Sequence, residues 1–197
     1  MSADAPVRAI ELASADVRLE PLAEAHRAGL RAAARAPEIW AHMPYAALGA
    51  GFDGWFEGSL AAAAGGREAV WAVAVGDVLV GSTRYLAIEP QQRRLEIGAT
   101  WYAPAVWGTY VNPACKLMLM RHAFETLGFN RVEFKTDILN TRSQAAIAKL
   151  GAQREGVFRA HMVRADGSLR DSVYFSVIAS EWRAVQDRLE ARLKAFA

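Results

Sequence analysis

The sequence predicts a single α/β domain in which β-hairpins dominate the first half and strand–helix units dominate the second. A chain of 197 residues suits one domain, and its 53% hydrophobic content is enough for a substantial core. Strand-like runs on both sides of the turn pair Gly76–Asp77 predict a hairpin. Helical patterns that begin at Asn112 and Asn140 predict two helices among the later strands.

The first third of the chain predicts one strand, one helix and an aromatic loop. We expect a mobile leader over residues 1–16, so that the folded domain spans residues 17–197. Val17–Glu20 is expected to form a short strand, and Ala23–Ala34 has the composition of a helix. Pro37–Gly54 is rich in aromatic residues and glycine without clear periodicity, which is typical of a loop with a short helix. Its aromatic side chains either line a substrate pocket or cover the core.

Three strands and a helix are expected in the middle of the chain. Glu68–Val75 and Val78–Ile88 are the two strands of the hairpin, and Arg93–Tyr102 is the strand that follows. The helix that begins near Asn112 carries one apolar stripe, and Gly128 marks its C-terminal end. The stripe consists of Leu117, Met120, Phe124 and Leu127.

The last third of the chain predicts three more strands and two helices. Arg131–Asp137 is a strand, and a helix then runs from Asn140 to an end at Leu150–Gly151. Two further strands flank the turn signal Asp166–Gly167. The C-terminal segment is amphipathic, which predicts a helix that docks on the sheet. Its apolar face consists of Trp182, Val185, Leu189 and Leu193.

Composition and charge exclude several classes of protein. The formal net charge is +2, which is too small to indicate a dedicated binder of nucleic acid or of anionic membranes. The longest apolar stretches, such as Ala69–Val75, are much shorter than the roughly 20 residues that span a bilayer. The first residues lack the pattern of a secretion signal, and a single cysteine, Cys115, cannot form an internal disulfide. We therefore expect a cytoplasmic protein in which Cys115 is a structural thiol.

The start of the helix near Asn112 predicts a binding site for phosphate. Asn112 is a good N-cap residue, and Pro113 suits the first helical position. The preceding loop, residues 107–111, would present free backbone N–H groups with the positive end of the helix dipole behind them. Lys116 in the first turns opposes that dipole, so it either faces a bound anion or is a solvated surface lysine.

Several short segments together resemble one enzyme family. In chain order they are Leu95–Gly98, Ala103–Pro104, the Asn112 helix, Asn140–Ser143, Lys149–Gly151, Glu155–Arg159, Asp166–Gly167 and Arg170–Asp171. Their order and spacing resemble the GNAT acyltransferases, in the branch related to ribosomal-protein alanine N-acetyltransferases (RimJ/RimL-like). The resemblance covers the chain from Val17 to about Trp182. It implies a mixed, largely antiparallel, twisted sheet of about seven strands with a splayed centre and flanking helices.

The resemblance implies that acetyl-CoA is the acyl donor and that its diphosphate lies on a loop of the form Q/R-x-x-G-x-G/A. The matching residues here are 107–112, in which Trp107, Tyr110 and Asn112 replace the three signature positions. Backbone amides would still bind the phosphates if the Tyr110 ring turns outward, whereas a positive φ at Tyr110 would cost roughly 1 kcal/mol or more. The implied cofactor-binding residues are Trp101, Tyr102, Trp107, Gly108, Thr109, Tyr110, Val111, Asn112 and Asn140.

The resemblance also points to two catalytic candidates. Ser143 matches a position that places a hydroxyl near the thioester sulfur, although it could instead be an ordinary first-turn residue in a helix that Asn140 caps. In most GNAT proteins a tyrosine four residues after this position acts as the acid, and Ile147 occupies its place here. Glu96 is a candidate base or substrate-orienting carboxylate, and a structural ion pair is at least as plausible. The partner of that ion pair would be Arg93, Arg94 or Arg84.

The predicted function is acetyl-CoA-dependent acetylation of a primary amine by direct attack, with strand amides near Trp101 stabilising the oxyanion. The acceptor is either a protein N-terminal α-amine or a small-molecule amine, and the protein is a monomer or a homodimer. The alternative is a non-catalytic CoA-binding or regulatory module with a degenerate phosphate loop. No metal cofactor is expected, because the four histidines lack ligand-like spacing and are interpreted as packed or surface residues. These are His26, His42, His122 and His161. No nucleic-acid or membrane partner is expected.

Overall fold

A computed structural model describes residues 6–164 and 166–196 of the chain. It contains a mixed sheet of eight strands with helices on both faces. The strands are Leu12–Ser14 (β1), Val17–Pro21 (β2), Ala69–Val75 (β3), Val78–Glu89 (β4), Arg94–Tyr102 (β5), Arg131–Asp137 (β6), Gln153–Val163 (β7) and Leu169–Ile178 (β8). The helices are Arg27–Ala33 (α1), Gly51–Ala64 (α2), Val111–Arg121 (α3), Thr141–Ala148 (α4) and Ala179–Lys194 (α5).

The sheet opens at its centre. Its spatial order is β1-β2-β3-β4-β5-β6-β8-β7, and every neighbouring pair is antiparallel except β5 and β6. The parallel pairing of β5 with β6 runs only from Arg94 opposite Arg131 to Glu96 opposite Glu133. Beyond these residues the two strands diverge. The predicted largely antiparallel sheet with a splayed centre is confirmed, with eight strands rather than about seven.

Alternating residues of β3 build two separate cores on the two faces of the sheet. Trp71 and Val73 belong to a core completed by α3 and α5, whereas Val70 and Ala72 belong to a second core with α1 and α2. This alternation follows from the two-residue period of a strand. We refer below to the α3 face and the α2 face of the sheet.

The amphipathic patterns of α3 and α5 explain how the first core closes. Leu117 and Met120 are buried, and a π-helical turn, His122–Thr126, continues the stripe to Phe124 and Leu127. Gly128 follows with a φ of 70°, as expected at the end of a helix. Trp182 of α5 is buried and stacks on Phe124 with ring centroids 5.2 Å apart. The predicted docking of the C-terminal helix is thus confirmed, against α3 as well as β8.

Local signals predicted most of the remaining elements. The hairpin β3–β4, the strand β6 and the helix α4 lie within about a residue or two of the expected bounds, and β7 and β8 flank the predicted turn Asp166–Gly167. The predicted Ala23–Ala34 helix is a short 3₁₀ turn, Glu24–His26, followed by α1.

Three elements differ from the prediction. Leu12–Ser14, within the expected leader, pairs with β2 as strand β1, while residues 1–5 of that leader lie outside the described residues. The helix α2 was missed because Gly54 and Gly58 lower helix propensity, yet Phe52 and Phe56 at helical spacing are fully buried.

The helix α3 begins earlier than the sequence predicts. Its first residue is Val111 and its N-cap is Tyr110, so the predicted cap at Asn112 is wrong. Asn112 is the second helical residue and Pro113 the third. Proline is tolerated there because the N–H groups of the first turn have no partner within the helix.

Candidate active site

A cavity of about 510 Å³ occupies the opening between β5 and β6. Ile97–Tyr102 of β5 line one side, and Phe134–Thr136 of β6 line the other. The loop before α3 and the start of α4 complete the wall through Trp107, Gly108, Asn112, Asn140 and Ser143. The cavity therefore lies where two neighbouring parallel strands leave their backbone edges without a strand partner.

The cavity passes through the sheet from the α3 face to the α2 face. A bulge in β5 makes this possible, because Ala99 has a φ of 45° and the pairing with β4 shifts register between Ser82 and Arg84. On the α3 face, Lys116 reaches Thr100 immediately after the bulge. On the α2 face, the cavity is lined by Glu96, Trp101, Arg84, Glu68 and Tyr45.

The loop before α3 keeps only some of the free amides predicted over residues 107–111, since the Trp107 amide bonds to the Pro104 carbonyl. Within residues 6–164 and 166–196, no acceptor is hydrogen-bonded to the backbone N–H of Gly108, Tyr110 or Asn112. The neighbouring amides of Thr109 and Val111 bond to the Val106 carbonyl and to the Thr109 hydroxyl. Gly108 and Asn112 line the cavity, so their donors are available to a ligand.

Tyr110 takes the outward orientation that a phosphate site needs. Its φ is −69°, so this residue carries no left-handed strain. Its hydroxyl donates to Asp16 Oδ2 at 2.6 Å, and its ring packs 6.3 Å from the Phe196 ring. The left-handed conformation falls instead on Gly108, whose φ is 77° and where a Cβ would meet open space. Thr109, Tyr110 and Val111 do not line the cavity.

Trp107 and Arg142 form a stacked pair beside the loop. The Arg142 guanidinium lies 3.7 Å from the centroid of the Trp107 ring, and the Trp107 Nε1–H donates to the Tyr102 carbonyl at 2.8 Å. Arg142 was not among the residues predicted for the site. Its position two residues after Asn140, which was itself predicted to bind the cofactor, could have identified Arg142 as a site residue.

Asn140 and Ser143 lie together at the start of α4. The Asn140 side chain accepts the Ser143 backbone N–H at 2.9 Å and caps α4, as predicted. Both residues also line the cavity. In the described part of the chain, the Ser143 hydroxyl has no hydrogen-bond partner, so it is available to a ligand. Ile147 lines the cavity nearby and supplies no proton donor.

Glu96 is buried in the cavity wall and forms an ion pair, with a partner other than those expected. Its carboxylate lies 3.0 Å from Lys135 Nζ on β6. Arg94 pairs with Glu133, and Arg84 with Glu68. Burial raises the pKa of Glu96, and the charge of Lys135 opposes that rise.

Lys116 is not the surface residue that one interpretation proposed. It is 5% exposed and lines the cavity. Its Nζ donates to the Thr100 hydroxyl at 2.8 Å and lies 3.5 Å from the Thr83 hydroxyl. Burial lowers its pKa to about 8. The missed signal was the apolar character of the α3 sequence on both sides of Lys116, where every residue from Pro113 to Met120 is buried.

The other residues singled out in the sequence fall mainly outside the site. Cys115 is fully buried, and burial raises the pKa of its thiol to about 11, which agrees with a structural role. Of the four histidines, His42 lines the cavity. Among the described residues, no group of three or more His, Cys, Asp or Glu side chains could hold a metal ion. None of the helices in those ranges combines the length and apolar character needed to cross a bilayer.

Solved structures named as acetyltransferases share the fold of this open mixed sheet with its flanking helices. A structure from T. thermophilus that is named as an acetyltransferase superposes with a TM-score of 0.85 at 37% identity, covering 95% of this chain and 98% of that chain. Mycobacterium smegmatis RimJ, solved with CoA-disulfide, has the same fold, with a TM-score of 0.77 at 22% identity over 89% of this chain and 88% of that one.

The chain belongs to the GNAT acetyltransferase family, since the model of the acetyltransferase (GNAT) domain matches residues 16–153. The match agrees with the resemblance found in the sequence. The YdaF protein of Bacillus subtilis (strain 168), which is named as a ribosomal N-acetyltransferase, is 32% identical over 95 residues. That segment covers 48% of this chain and 51% of YdaF, so the match spans about half the length of this curated relative.

Proposed function

We propose that the protein transfers an acetyl group from acetyl-CoA to a primary amine by direct attack in a ternary complex. The observation that carries this proposal is the cavity through the sheet, which joins free amides at the start of α3 to a buried carboxylate, Glu96, on the α2 face. Such a passage allows a donor and an acceptor to meet from opposite sides. Membership of the GNAT family and the CoA-disulfide bound to M. smegmatis RimJ support the choice of donor.

The donor would be held mainly by backbone groups. Gly108 and Asn112 line the cavity beside the N-terminus of α3 and their N–H groups have no partner among the described residues, so a diphosphate there would be favoured by both hydrogen bonds and the helix dipole. The Arg142 guanidinium adds positive charge next to Trp107. The pantetheine would lie along Trp101 and Tyr102, in the gap where β5 leaves β6. Asn140 would contact it from the opposite wall.

Groups in the cavity wall can assist the reaction at three points: the oxyanion, the departing thiolate and the amine proton. A neutral amine attacks the thioester carbon, the N–C bond forms and the C–S bond breaks. Strand amides near Trp101 stabilise the transient oxyanion. Ser143 donates a hydrogen bond or proton to the departing thiolate, and Glu96 accepts the proton that the amine loses. A thiol with a pKa near ~8.5 is a good leaving group, so a weak hydroxyl donor is sufficient.

The acceptor would bind on the α2 face. The segment from Ile39 to Tyr45 walls this side of the cavity together with Glu68 and Arg84. Deprotonating an α-amine of pKa ~8 at pH 7 costs about 1.4 kcal/mol, against about 4.6 kcal/mol for a lysine of pKa ~10.4. A single weak base such as Glu96 therefore suits a protein N-terminus or a small amine of low pKa. The name of YdaF, a ribosomal N-acetyltransferase, favours a ribosomal acceptor. The cytoplasmic location expected from the sequence stays a prediction.

Calorimetry and a thiol-release assay together test the proposal. We expect acetyl-CoA to bind in calorimetry, and free CoA thiol to appear when peptides with different N-terminal residues or small amines are added. Absence of binding at millimolar acetyl-CoA would contradict the proposal. Binding with thiol release at background for every amine would favour the alternative, a non-catalytic CoA-binding module.

A further inference from the structure

Lys116 is a buried cation without a counter-charge in the cavity wall. Its Nζ contacts two neutral hydroxyls, Thr100 at 2.8 Å and Thr83 at 3.5 Å. Within the described ranges, no carboxylate lies within 4.0 Å of this nitrogen. Burying an ammonium among neutral groups is costly, because its hydration is lost and no anion replaces it.

The nearby carboxylates are engaged elsewhere. Glu96, which lines the same cavity, lies 3.0 Å from Lys135 Nζ, and Glu68 pairs with Arg84 at 2.7 Å. Both of these carboxylates line the α2 face, whereas Lys116 extends from α3 on the opposite face. An ammonium has three N–H donors, and two hydroxyl contacts leave at least one of them for a ligand. The cavity therefore offers an anion site on its α3 side.

The position of Lys116 favours the acyl donor as the source of that anion. Lys116 lies on the same helix as the free amides of the loop, five residues after Val111, which is about 7.5 Å along the helix axis. Its side chain then reaches Thr100, the residue after the β5 bulge. A donor whose diphosphate binds at the start of α3 would bring its acyl end towards this point, while the acceptor occupies the α2 face.

We propose that Lys116 binds a carboxylate at the free end of the acyl chain, so that the cleft accepts malonyl- or succinyl-CoA in addition to acetyl-CoA. This inference rests on the proposed function. In the reaction, the acceptor nitrogen forms a bond to the thioester carbon, the C–S bond breaks and the sulfur leaves as CoA thiol after protonation. The amine proton goes to the base, and the distal carboxylate is unchanged. The product carries a negative charge where the acceptor carried a positive one.

A matched pair of CoA thioethers tests the inference on the wild-type protein. S-(2-carboxyethyl)-CoA and S-propyl-CoA have similar shapes and differ in the terminal carboxylate. We expect calorimetry to show that the carboxylated compound binds about 10-fold more tightly, as for a hydrogen bond between charged groups. Equal or weaker binding of the carboxylated compound would overturn the inference. Failure of unsubstituted CoA to bind would overturn the proposed function and the inference with it.

Variants assign the preference to Lys116. We expect Lys116→Met to abolish the difference between the two thioethers, and the exposed Lys149→Met, which makes the same substitution outside the cavity, to keep it. A preference that survives in a folded Lys116→Met protein would overturn the assignment. The assignment would also be overturned if Lys116→Met lowered activity with glycine, an acceptor that carries a carboxylate, and left activity with glycinamide unchanged. If Lys116→Met does not fold, the comparison of thioethers on the wild-type protein decides the inference.

Discussion

Glu96 illustrates how neighbouring groups set the chemistry of one residue. The side chain is buried, which raises its pKa, and Lys135 at 3.0 Å partly offsets that rise. A carboxylate with a raised pKa is a better proton acceptor than an exposed one at neutral pH. The same ion pair fixes the carboxylate at the cavity wall, because Lys135 lies on the opposite strand of the opening.

We expect Glu96→Gln to lower kcat/KM by about 100-fold, because the variant lacks the proton acceptor. In the wild type, activity should fall as the pH drops through the pKa of Glu96, which lies above its usual 4.5. Protonation of an acceptor α-amine of pKa ~8 gives a separate fall in both proteins, and only the further fall caused by Glu96 should disappear in Glu96→Gln. A pH profile of kcat/KM for both proteins, with Glu190→Gln on α5 as the control, checks the expectation. An unchanged acid limb would show that another group is the base.

Ser143 tests the role of a hydroxyl at the start of α4. We expect Ser143→Ala to reduce kcat by about 10- to 100-fold, towards the lower end of general acid contributions, because thiolate is a good leaving group. The affinity for CoA should change little, since the Ser143 backbone N–H still bonds to Asn140. Ser143→Thr retains the hydroxyl and should retain most activity. Equal kcat values for wild type and Ser143→Ala would assign the proton to water.

At the scale of elements, the loop and helix after β5 form one structural unit beside the cavity. Gly108 takes the only left-handed conformation between Pro104 and Met120 in the described chain, and Tyr110 fixes the helix start by bonding to Asp16. Free amides at Gly108 and Asn112 depend on this path. If backbone groups bind the phosphates as proposed, the unusual side chains at Trp107, Tyr110 and Asn112 do not prevent binding.

Two glycine substitutions separate stability from binding. Gly108 and Gly128 have φ values of 77° and 70°, and a Cβ at either would meet open space. Alanine should therefore cost about 1–2 kcal/mol of unfolding free energy at either position through backbone strain alone. We expect only Gly108→Ala to weaken acetyl-CoA binding, by about 10-fold. Denaturant titrations and calorimetry on both variants provide the check, and equal CoA affinities would argue against the loop as a phosphate site.

At the scale of the whole molecule, Asp137 joins β6 to the β7–β8 hairpin. Its side chain is fully buried and accepts hydrogen bonds from Arg164 Nε at 2.7 Å and from the Leu139 backbone N–H at 2.9 Å. Burial alone would raise the pKa of Asp137, but these bonds outweigh it, so the pKa lies below its usual 3.8. The carboxylate thus stabilises the folded state at pH values above 3.8, and this stabilisation is lost as the pH falls through the lowered pKa.

We expect Asp137→Asn to lower the free energy of unfolding by about 3 kcal/mol at pH 7, because it leaves a partly buried arginine without its counter-charge. The difference from the wild type should shrink as the pH falls below 3.8. Urea titrations at several pH values measure both effects. Asp187→Asn removes an exposed partner of Arg183 and should change stability by about 0.5 kcal/mol or less. A similar loss in both variants would contradict this account of Asp137.

Elements with local signals could be predicted from the sequence, and contacts set by strand register could not. The turn Gly76–Asp77, the Asn140 cap and the stripe that contains Trp182 each depend on residues close in the chain. The partner of Glu96 depends on the parallel pairing of β5 with β6, which brings Lys135 close. The contact of Lys116 with the Thr100 hydroxyl depends on the bulge at Ala99. Both are long-range consequences of topology that neither spacing nor propensity encodes.

The passage through the sheet has a consequence for inhibitor design. In the proposed reaction each substrate would reach the point of reaction by its own entrance, so neither would have to leave before the other could arrive. A conjugate that joins the sulfur of CoA to the nitrogen of an acceptor by a short spacer would thread the opening and occupy both halves at once. Its affinity should exceed that of either half alone, because the second half binds without a further loss of translational freedom.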